Sequence, residues 1–537
     1  MDLHTSGHRR GVVSAPHAAA AEDGRAILAE GGNAIEAMLA MAASIAAVYP
    51  HMNHIGGDGF WLIREPSGRV RALMGAGRAG SKATVRFYRD AGFDEIPARG
   101  PFAALTVPAA VAAWALAKQA AKAQGGKMPL YLLLAGAIRH ARDGYKVTRS
   151  QAALTREKYA ELETAPGFLA TFLADGKAPD VGATLKQSAL AATLEHLAHA
   201  GLDDFYRGDV GREIAADLAR IGAPVTREDL ANFRATVEAP LSVEAPLSVE
   251  TQLGTLYNAP PPTQGLASLI ILALFERLRV DKAESFEHVH GIVEATKRAF
   301  RVRDRVVCDP DRITTPLGRF LEPAFLDQEA DKIDRRRAAK WPAPYGEGDT
   351  IWMGAADASG LVVSYIQSVY WEFGSGCVLP ATGVLMQNRG ASFSLESGAV
   401  NALAPGRRPF HTLNPALAAL KDGRVMAYGT MGGDGQPQTQ AALFTRHVLF
   451  KQPLDRALDA PRWLLGRTWG STHTNLRMES RFDGSLIDRL MSAGHDVAVL
   501  DQPYSDTMGH AGAVVLHADG TLEGAHDPRA DGGAAGV

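Results

Sequence analysis

The chain is nearly free of cysteine. Only Cys308 and Cys377 occur among its 537 residues, too few for a disulfide framework or a cysteine-rich zinc site. Long hydrophobic runs are missing too. The most apolar early stretch, Ala37 to Tyr49, is shorter than the roughly 20 residues a bilayer span requires. No apolar run of about 7–15 residues follows the basic pair Arg9-Arg10, so a secretory leader is not expected. Neither sign of charge dominates. Lys plus Arg number 56 and Asp plus Glu 59, a net charge of −3. That balance excludes the basic footprint of a dedicated nucleic-acid binder and the composition of an acidic disordered chain. A cytoplasmic enzyme acting on a small molecule, with neither membrane nor nucleic acid as partner, is the expectation.

What is plentiful is glycine: 55 of 537 residues, one in ten, against about 7% on average. Tight turns and close backbone approaches follow from that excess. The first third reads as Ala-rich helices over His17–Glu30, Asn33–Val48, Ala109–Ala123 and Leu130–Arg142. A hairpin turns at Glu65-Pro-Ser-Gly68, between Phe60–Arg64 and Val70–Met74. Helices are predicted over Leu185–His199, Arg212–Ile221, Leu266–Leu278 and His288–Arg305. EAPLSV stands twice in tandem over 238–249, a local duplication in a strand or loop. Asp327 to Asp349 is charged, then punctuated by proline, and predicts an exposed linker. Thr350–Ala356 and Leu361–Val369 are strand-like. Short strands and Gly-rich turns are expected from there to the end. Helices and strands are mixed without simple βα alternation, which argues for helices layered on sheets.

Several constellations fail. The chain has no Gly-x-x-x-x-Gly-Lys-Ser/Thr and no His-Glu-x-x-His. Gly56-Gly57-Asp58-Gly59 lacks the strand-then-helix setting of a dinucleotide fingerprint. His51 and His54 lack a third ligand and read as loop or core residues. His196 with His199, and His288 with His290, read as packing or surface residues. Phe373-Gly-Ser-Gly376 is not a nucleophile elbow. No metal and no organic cofactor is indicated. One place keeps chemical interest: the linker ends at Gly348-Asp349-Thr350, where a strand begins. A turn centred on Ala358-Ser359 sets Thr350 opposite about residue 367, with Ser368 one register step away. On geometry alone the favoured reading is two hydroxyls of an ordinary hairpin.

The stretches GGNAIEAMLA, PHMNHIGGDGF, LTVPAAVAAW, MPLYLLLAGAIRHARDGY, YNAPPPTQGL, EATKRAF, FGSGCVLPATGVLMQN, MGGDGQPQ and DPRADG are individually weak and jointly specific. They resemble the gamma-glutamyltranspeptidase family of N-terminal nucleophile hydrolases, from about residue 11 to Arg529. The resemblance implies an α+β fold, a four-layer αββα sandwich made as one inactive precursor. It implies self-cleavage between Asp349 and Thr350, giving a large chain 1–349 and a small chain 350–537 intertwined in one domain. Thr350 would then be the nucleophile. Ser368 stands at the position of a supporting threonine, and Gly432-Gly433 at that of the oxyanion-stabilising glycine pair. Oligomeric state is not readable, and a homo-oligomer stays open.

The substrate pocket departs from the family pattern. Where a gamma-glutamyl enzyme has an Arg-Glu pair for the α-carboxylate, this chain has Ala76-Gly77, with Arg78 beside them. The aspartate for the α-amino group is Ser392, and the neighbouring glutamine is Arg389. An asparagine after the hairpin is Tyr370, and a Ser-Ser pair is His411-Thr412. The ammonium anchor is lost and a cation is gained. Arg389, Arg78, Tyr370, His411 and Thr412 are therefore the candidate substrate-binding residues. A small anionic amide without an amino group fits, as in the oxamate-hydrolysing branch of the family. Glutathione-like and glutaryl-type amides are the alternatives. An unprocessed binding or scaffold protein is the alternative of a different class.

Overall fold

The computed structural model describes residues 1–239, 241–245, 253–341, 349–466 and 474–537, with backbone only for 241–245 and 349. Two seven-stranded sheets form its centre. In chain order the strands are β1 (His4–His8), β2 (Gly11–Ala15), β3 (Asp58–Arg64), β4 (Val70–Gly75), β5 (Thr236–Glu238), β6 (Leu241–Ala245) and β7 (Gly254–Asn258). They continue with β8 (Asp349–Asp357), β9 (Val362–Tyr370), β10 (Ala416–Leu420), β11 (Val425–Thr430), β12 (Ala511–Leu516), β13 (Leu522–His526) and β14 (Gly533–Gly536). One sheet runs β1-β13-β12-β11-β10-β7-β6, the other β14-β2-β8-β9-β3-β4-β5. Each sheet combines strands from before and after the Asp349–Thr350 bond.

Period-2 alternation decides the layers. Trp352 and Ala356 of β8, Ile366 of β9 and Phe60 and Leu62 of β3 pack against Leu417, Ala427 and Val514 of the other sheet. Their neighbours Ile351, Met353, Trp61 and Tyr365 face outward, onto helices α1 (Ala18–Ala29), α2 (Ala34–Val48), α3 (Ala110–Ala123) and α4 (Leu130–Asp143). On the far side Ala418, Met426, Tyr428 and Val515 meet α5 (Gly265–Arg277), α6 (Phe286–Val306) and α7 (Gln436–Phe444). The result is the expected four-layer αββα sandwich. Burying one such large apolar side chain is worth about 1.5–3 kcal/mol, so this alternation is the main determinant of strand register.

The helix starts follow local chemistry. Asn33 caps α2 by accepting from Ile35 N and Glu36 N, and Glu36 answers by accepting from Asn33 N, a reciprocal capping box. All fifteen residues of α2 are buried, as its nearly unbroken apolar sequence requires. Glycine serves the sandwich directly at Gly429, where an added Cβ would lie 2.2 Å from the Trp352 indole.

Two expectations change. The C-terminal third is not only strands: α7, Leu454–Asp459 and Gly484–Ser492 are helical. The charged stretch from Asp327 is only partly linker. Asp327–Asp331 completes the helix Pro323–Asp331, and α6 grips the backbone beyond it. Arg298 donates to Lys332 O at 3.2 Å, His290 Nε2 lies 2.8 Å from Asp334 O, and Lys297 Nζ donates to Ala339 O at 2.7 Å. The first EAPLSV copy ends β5 and forms most of β6; part of the second lies outside the described residues. Among the described residues no helix is long and apolar enough to cross a membrane.

Candidate active site

The hairpin β8–β9 carries the two hydroxyls. Its ladder pairs Ile351 with Gln367 and Ala356 with Val362, antiparallel. That is one residue away from the register read in the sequence, and continuing it by one step would set Ser368 against Thr350. The register slips there, with Asp349 pairing with Tyr370, so two steps on β8 match three on β9. This bulge leaves Tyr370 at φ +86°, a left-handed conformation that costs a non-glycine residue about 1–3 kcal/mol. Ser368 Oγ holds it, accepting from Tyr370 N at 2.7 Å. Thr350, Ser368 and Asp58 share the parity of the inward residues and lie where the sheets face each other. Asp58 pairs directly with Ser368 across β3–β9. Thr350 is fully buried, and Gln436 Nε2 donates to its Oγ1 at 3.4 Å.

From the facing sheet, β11 ends at Thr430 and the chain turns at Gly432 (φ +115°) and Gly433 (φ +52°). Two consecutive left-handed residues need glycine, and they lead into α7, whose first residue is Gln436. The turn is braced from behind. Gln264 Nε2 donates to Gly433 O at 2.9 Å and to Thr412 O at 2.7 Å. Arg303 Nη1 lies 2.8 Å from both Gln264 Oε1 and Asp434 Oδ1, and neither Arg303 nor Asp434 is exposed to solvent. Beneath the turn, Arg462 donates to Gly509 O at 2.9 Å and pairs with Asp527 at 2.5 Å. Arg529 bridges Asp527 (3.0 Å) and Glu479 (2.5 Å). These two arginines hold the Asp527 carboxyl well below its usual range despite burial, which alone would raise it. The closing DPRADG motif is thus a floor under the glycine turn.

A second group of buried polar atoms gathers beside the hairpin. The Arg389 guanidinium lies 3.8 Å above the Tyr370 ring and donates to Thr412 Oγ1 at 3.3 Å, while its Nε and Nη2 have no partner. Burial pulls it down to about 10, opposed by the Tyr370 and Asp58 charges; it remains a cation at neutral pH. Asp58 Oδ1 accepts from Gly77 N and Gln387 Nε2, both at 3.0 Å. Burial pushes the Asp58 carboxyl up to about 7, against the pull of Gln387, Arg389 and Gly77 N–H. His411 Nε2 comes within 3.2 Å of Asp58 Oδ2, but without hydrogen-bond geometry. Burial, and then the Arg389 charge, hold His411 well below its ordinary value. It is neutral, so this contact is not an ion pair.

Arg78 is engaged elsewhere, donating to Gly406 O at 2.8 Å and facing Asp311 at 3.4 Å, with its side chain 40% exposed. Ser392 ties its own turn together, donating to Arg389 O and Phe410 O, each at 3.1 Å. His51 and His54 are core residues, bonded to Ser150 and to Gln187 and Leu385 N. His290, Glu294 and His495 are close enough to share an ion. The Glu294 carboxylate, however, is already committed to Lys297 Nζ at 2.7 Å and to Ala339 N, so the group is an anchor for residues 334–340. Sequence reasoning missed Asp58, Gln264, Arg303, Asp434 and Gln436. All five sit in or near quoted motifs; Asp58 stands both in PHMNHIGGDGF and in the rejected glycine cluster.

The gamma-glutamyltranspeptidase family profile matches residues 20–537. The chain is 52% identical to the oxamate amidohydrolase proenzyme of Klebsiella pneumoniae, over 99% of this chain and 100% of that one. It is 38% identical to the glutathione hydrolase-like YwrD proenzyme of Bacillus subtilis, over the full length of both. The crystal structure of a cephalosporin acylase from Bacillus halodurans superimposes with a TM-score of 0.90 at 31% identity, covering 100% of this chain and 97% of its own. With this fold, this hairpin and these relatives, the chain belongs to the gamma-glutamyltranspeptidase family and is an amidohydrolase of its N-terminal nucleophile type.

Proposed function

We propose that the protein is a self-processing threonine amidohydrolase that converts a small carboxylated amide, oxamate foremost, into the diacid and ammonia. In the precursor Thr350 Oγ attacks the Asp349 carbonyl carbon. The peptide C–N bond breaks, leaving an ester on Oγ, and water hydrolyses it. Asp349 keeps the new carboxylate and Thr350 the new α-amine. That amine has an ordinary pKa of about 7.7–8, so it is partly neutral at pH 7 and serves as the base a threonine hydroxyl needs.

In turnover the α-amine takes the Oγ proton as Oγ attacks the substrate amide carbon. Negative charge develops on the carbonyl oxygen, where the Gly432-Gly433 backbone offers donors. Collapse expels ammonia, protonated by the α-ammonium, and leaves an acyl ester. Water, deprotonated by the same amine, releases the acid. Ser368 steadies the bulge beside the nucleophile. The large and small chains, 1–349 and 350–537, would stay together as one body.

The observation that carries the substrate reading is Arg389, a buried cation with two unpartnered donors, stacked on Tyr370 at the end of the β8–β9 hairpin. A ligand carboxylate meets such a fork bidentately. The name of the Klebsiella relative points the same way, and the absence of an acidic residue at Ser392 disfavours an α-amino substrate. Two experiments test the proposal. Intact mass of the purified protein should give fragments meeting at Asp349/Thr350, and Thr350→Ala should stay whole and inactive. A substrate panel should rank oxamate above gamma-glutamyl anilide and glutaryl amides. An alanine variant that still splits would sink the nucleophile; faster gamma-glutamyl turnover would sink the substrate.

A further inference from the structure

Asp58 has no part in the chemistry described so far, yet it stands one strand from the nucleophile. It is the first residue of β3 and pairs with Ser368 of β9, the strand that runs beside Thr350. Its two oxygens have different fates. Oδ1 is saturated by Gly77 N and Gln387 Nε2. Oδ2 is buried and receives no hydrogen bond, and the nearby His411 has both ring nitrogens unpartnered. Arg389 has Nε and Nη2 unpartnered, and its Nη1 meets the neutral Thr412 hydroxyl. A buried cation and a buried acid thus sit in one cluster without a hydrogen bond between them. Native proteins rarely leave such groups unsatisfied, and a buried charge without a partner is strongly destabilising. An anion bound at Arg389 resolves the cation. It would also bring a second negative charge toward Asp58, which an ionised carboxylate would oppose.

We propose that Asp58 is a specificity-determining acid, whose protonated Oδ2 donates a hydrogen bond to the substrate carboxylate held by Arg389 and whose ionised form rejects it. This rests on the carboxylated-amide reading above. The two states differ by one proton and no covalent change. Binding of the anion therefore takes up one proton whenever Asp58 is ionised in the free protein. The sign is fixed: affinity is full below the carboxyl's own pKa and falls about tenfold per pH unit above it. With that carboxyl pushed up to about 7, the fall begins near neutrality.

The other groups around Asp58 do not titrate in this window. Arg389 stays charged, His411 is held neutral, and Tyr206 on the neighbouring Asp204–Arg207 helix is raised well above its ordinary value. Tyr370 and Ser368 on β9 complete the surroundings. The exception is the Thr350 α-amine created by cleavage. It acts as the base, so its deprotonation makes turnover rise with pH. Asp58 makes binding fall, and the two together give kcat/KM a bell shape whose alkaline limb belongs to Asp58.

The test uses the matured enzyme, with oxalate as competitive inhibitor from pH 5.5 to 8.5. The wild-type inhibition constant should rise about tenfold per pH unit above about 7. In Asp58→Asn the amide keeps an acceptor for Gly77 N and presents a permanent donor to the ligand, so the constant should stay flat. The same rise in Asp58→Asn as in the wild type would overturn the proposal. Should that variant fail to mature, calorimetry of oxalate binding to the wild type at pH 8, in buffers of different ionisation enthalpy, reads proton uptake directly. An uptake close to one proton supports the proposal, and none overturns it. Absence of both oxamate turnover and oxalate inhibition in the wild type would instead sink the substrate reading, and this inference with it. Turnover of oxamate with a pH-independent inhibition constant sinks this inference alone.

Discussion

Replacing Arg389 by alanine takes away both a cation and the plane that lies 3.8 Å above Tyr370. If the cation holds the substrate carboxylate, KM for oxamate should rise more than tenfold, a loss of at least about 1.4 kcal/mol, while kcat changes less. Arg389→Lys should recover only part of this, because an ammonium lacks the bidentate fork. Steady-state kinetics on the matured variants decide it, and an unchanged KM removes Arg389 from the binding site. Gly432 makes a complementary prediction. There is space for a methyl group, since an added Cβ would meet Gly509 Cα only at 3.4 Å, but the φ of +115° is strained for alanine. Gly432→Ala should therefore re-aim the turn without filling a core. We expect kcat to drop about 10²–10³-fold, as for loss of one oxyanion donor, with KM nearly unchanged. A variant with normal kcat would take Gly432 out of the oxyanion site.

Single elements carry the support of this site. Helix α6 reaches the glycine turn through one side chain, Arg303, which joins Gln264 to Asp434. Both charged partners are wholly buried. Arg303→Met removes one of them and leaves the Asp434 carboxylate without this cation, a change that costs about 3–5 kcal/mol for a buried pair. A lowered urea midpoint with an unchanged slope is the expected result, accompanied by slower maturation of the precursor. The elements were unequally legible. The Ala-rich helices and the β8–β9 hairpin could be read because caps, apolar runs and an Asp-Ala-Ser-Gly turn mark them locally. Helix α7 could not: it opens with Gln-Pro-Gln after a Gly-rich turn and has no amphipathic stripe, since every residue of it is buried. The grip of α6 on residues 332–340 escaped notice because it is made to backbone carbonyls, which leave no trace in side-chain pattern. Asp58 lies more than 300 positions before Arg389 and His411, and only the sandwich brings it to them. Residues matching a known motif, such as Gly432-Gly433, were legible through the resemblance alone.

At the scale of the molecule, the sheets interleave strands from the two sides of the Asp349–Thr350 bond: β8 lies between β2 and β9, and β1 and β7 flank the run β13 to β10. While that bond is intact, a denatured chain has every strand on one thread. Once it is cut, unfolding releases two molecules, neither of which holds a complete sheet, and recovery becomes a second-order process in competition with aggregation. Uncut Thr350→Ala should regain its far-UV dichroism after dilution from denaturant at a rate independent of protein concentration. The matured wild type should regain less, and less still as it is diluted. Equal, concentration-independent recovery of both would show that the halves fold separately. The cleavage proposed to make the nucleophile would thus also erase the molecule's capacity to refold: the precursor would persist by equilibrium, the enzyme by the height of its unfolding barrier.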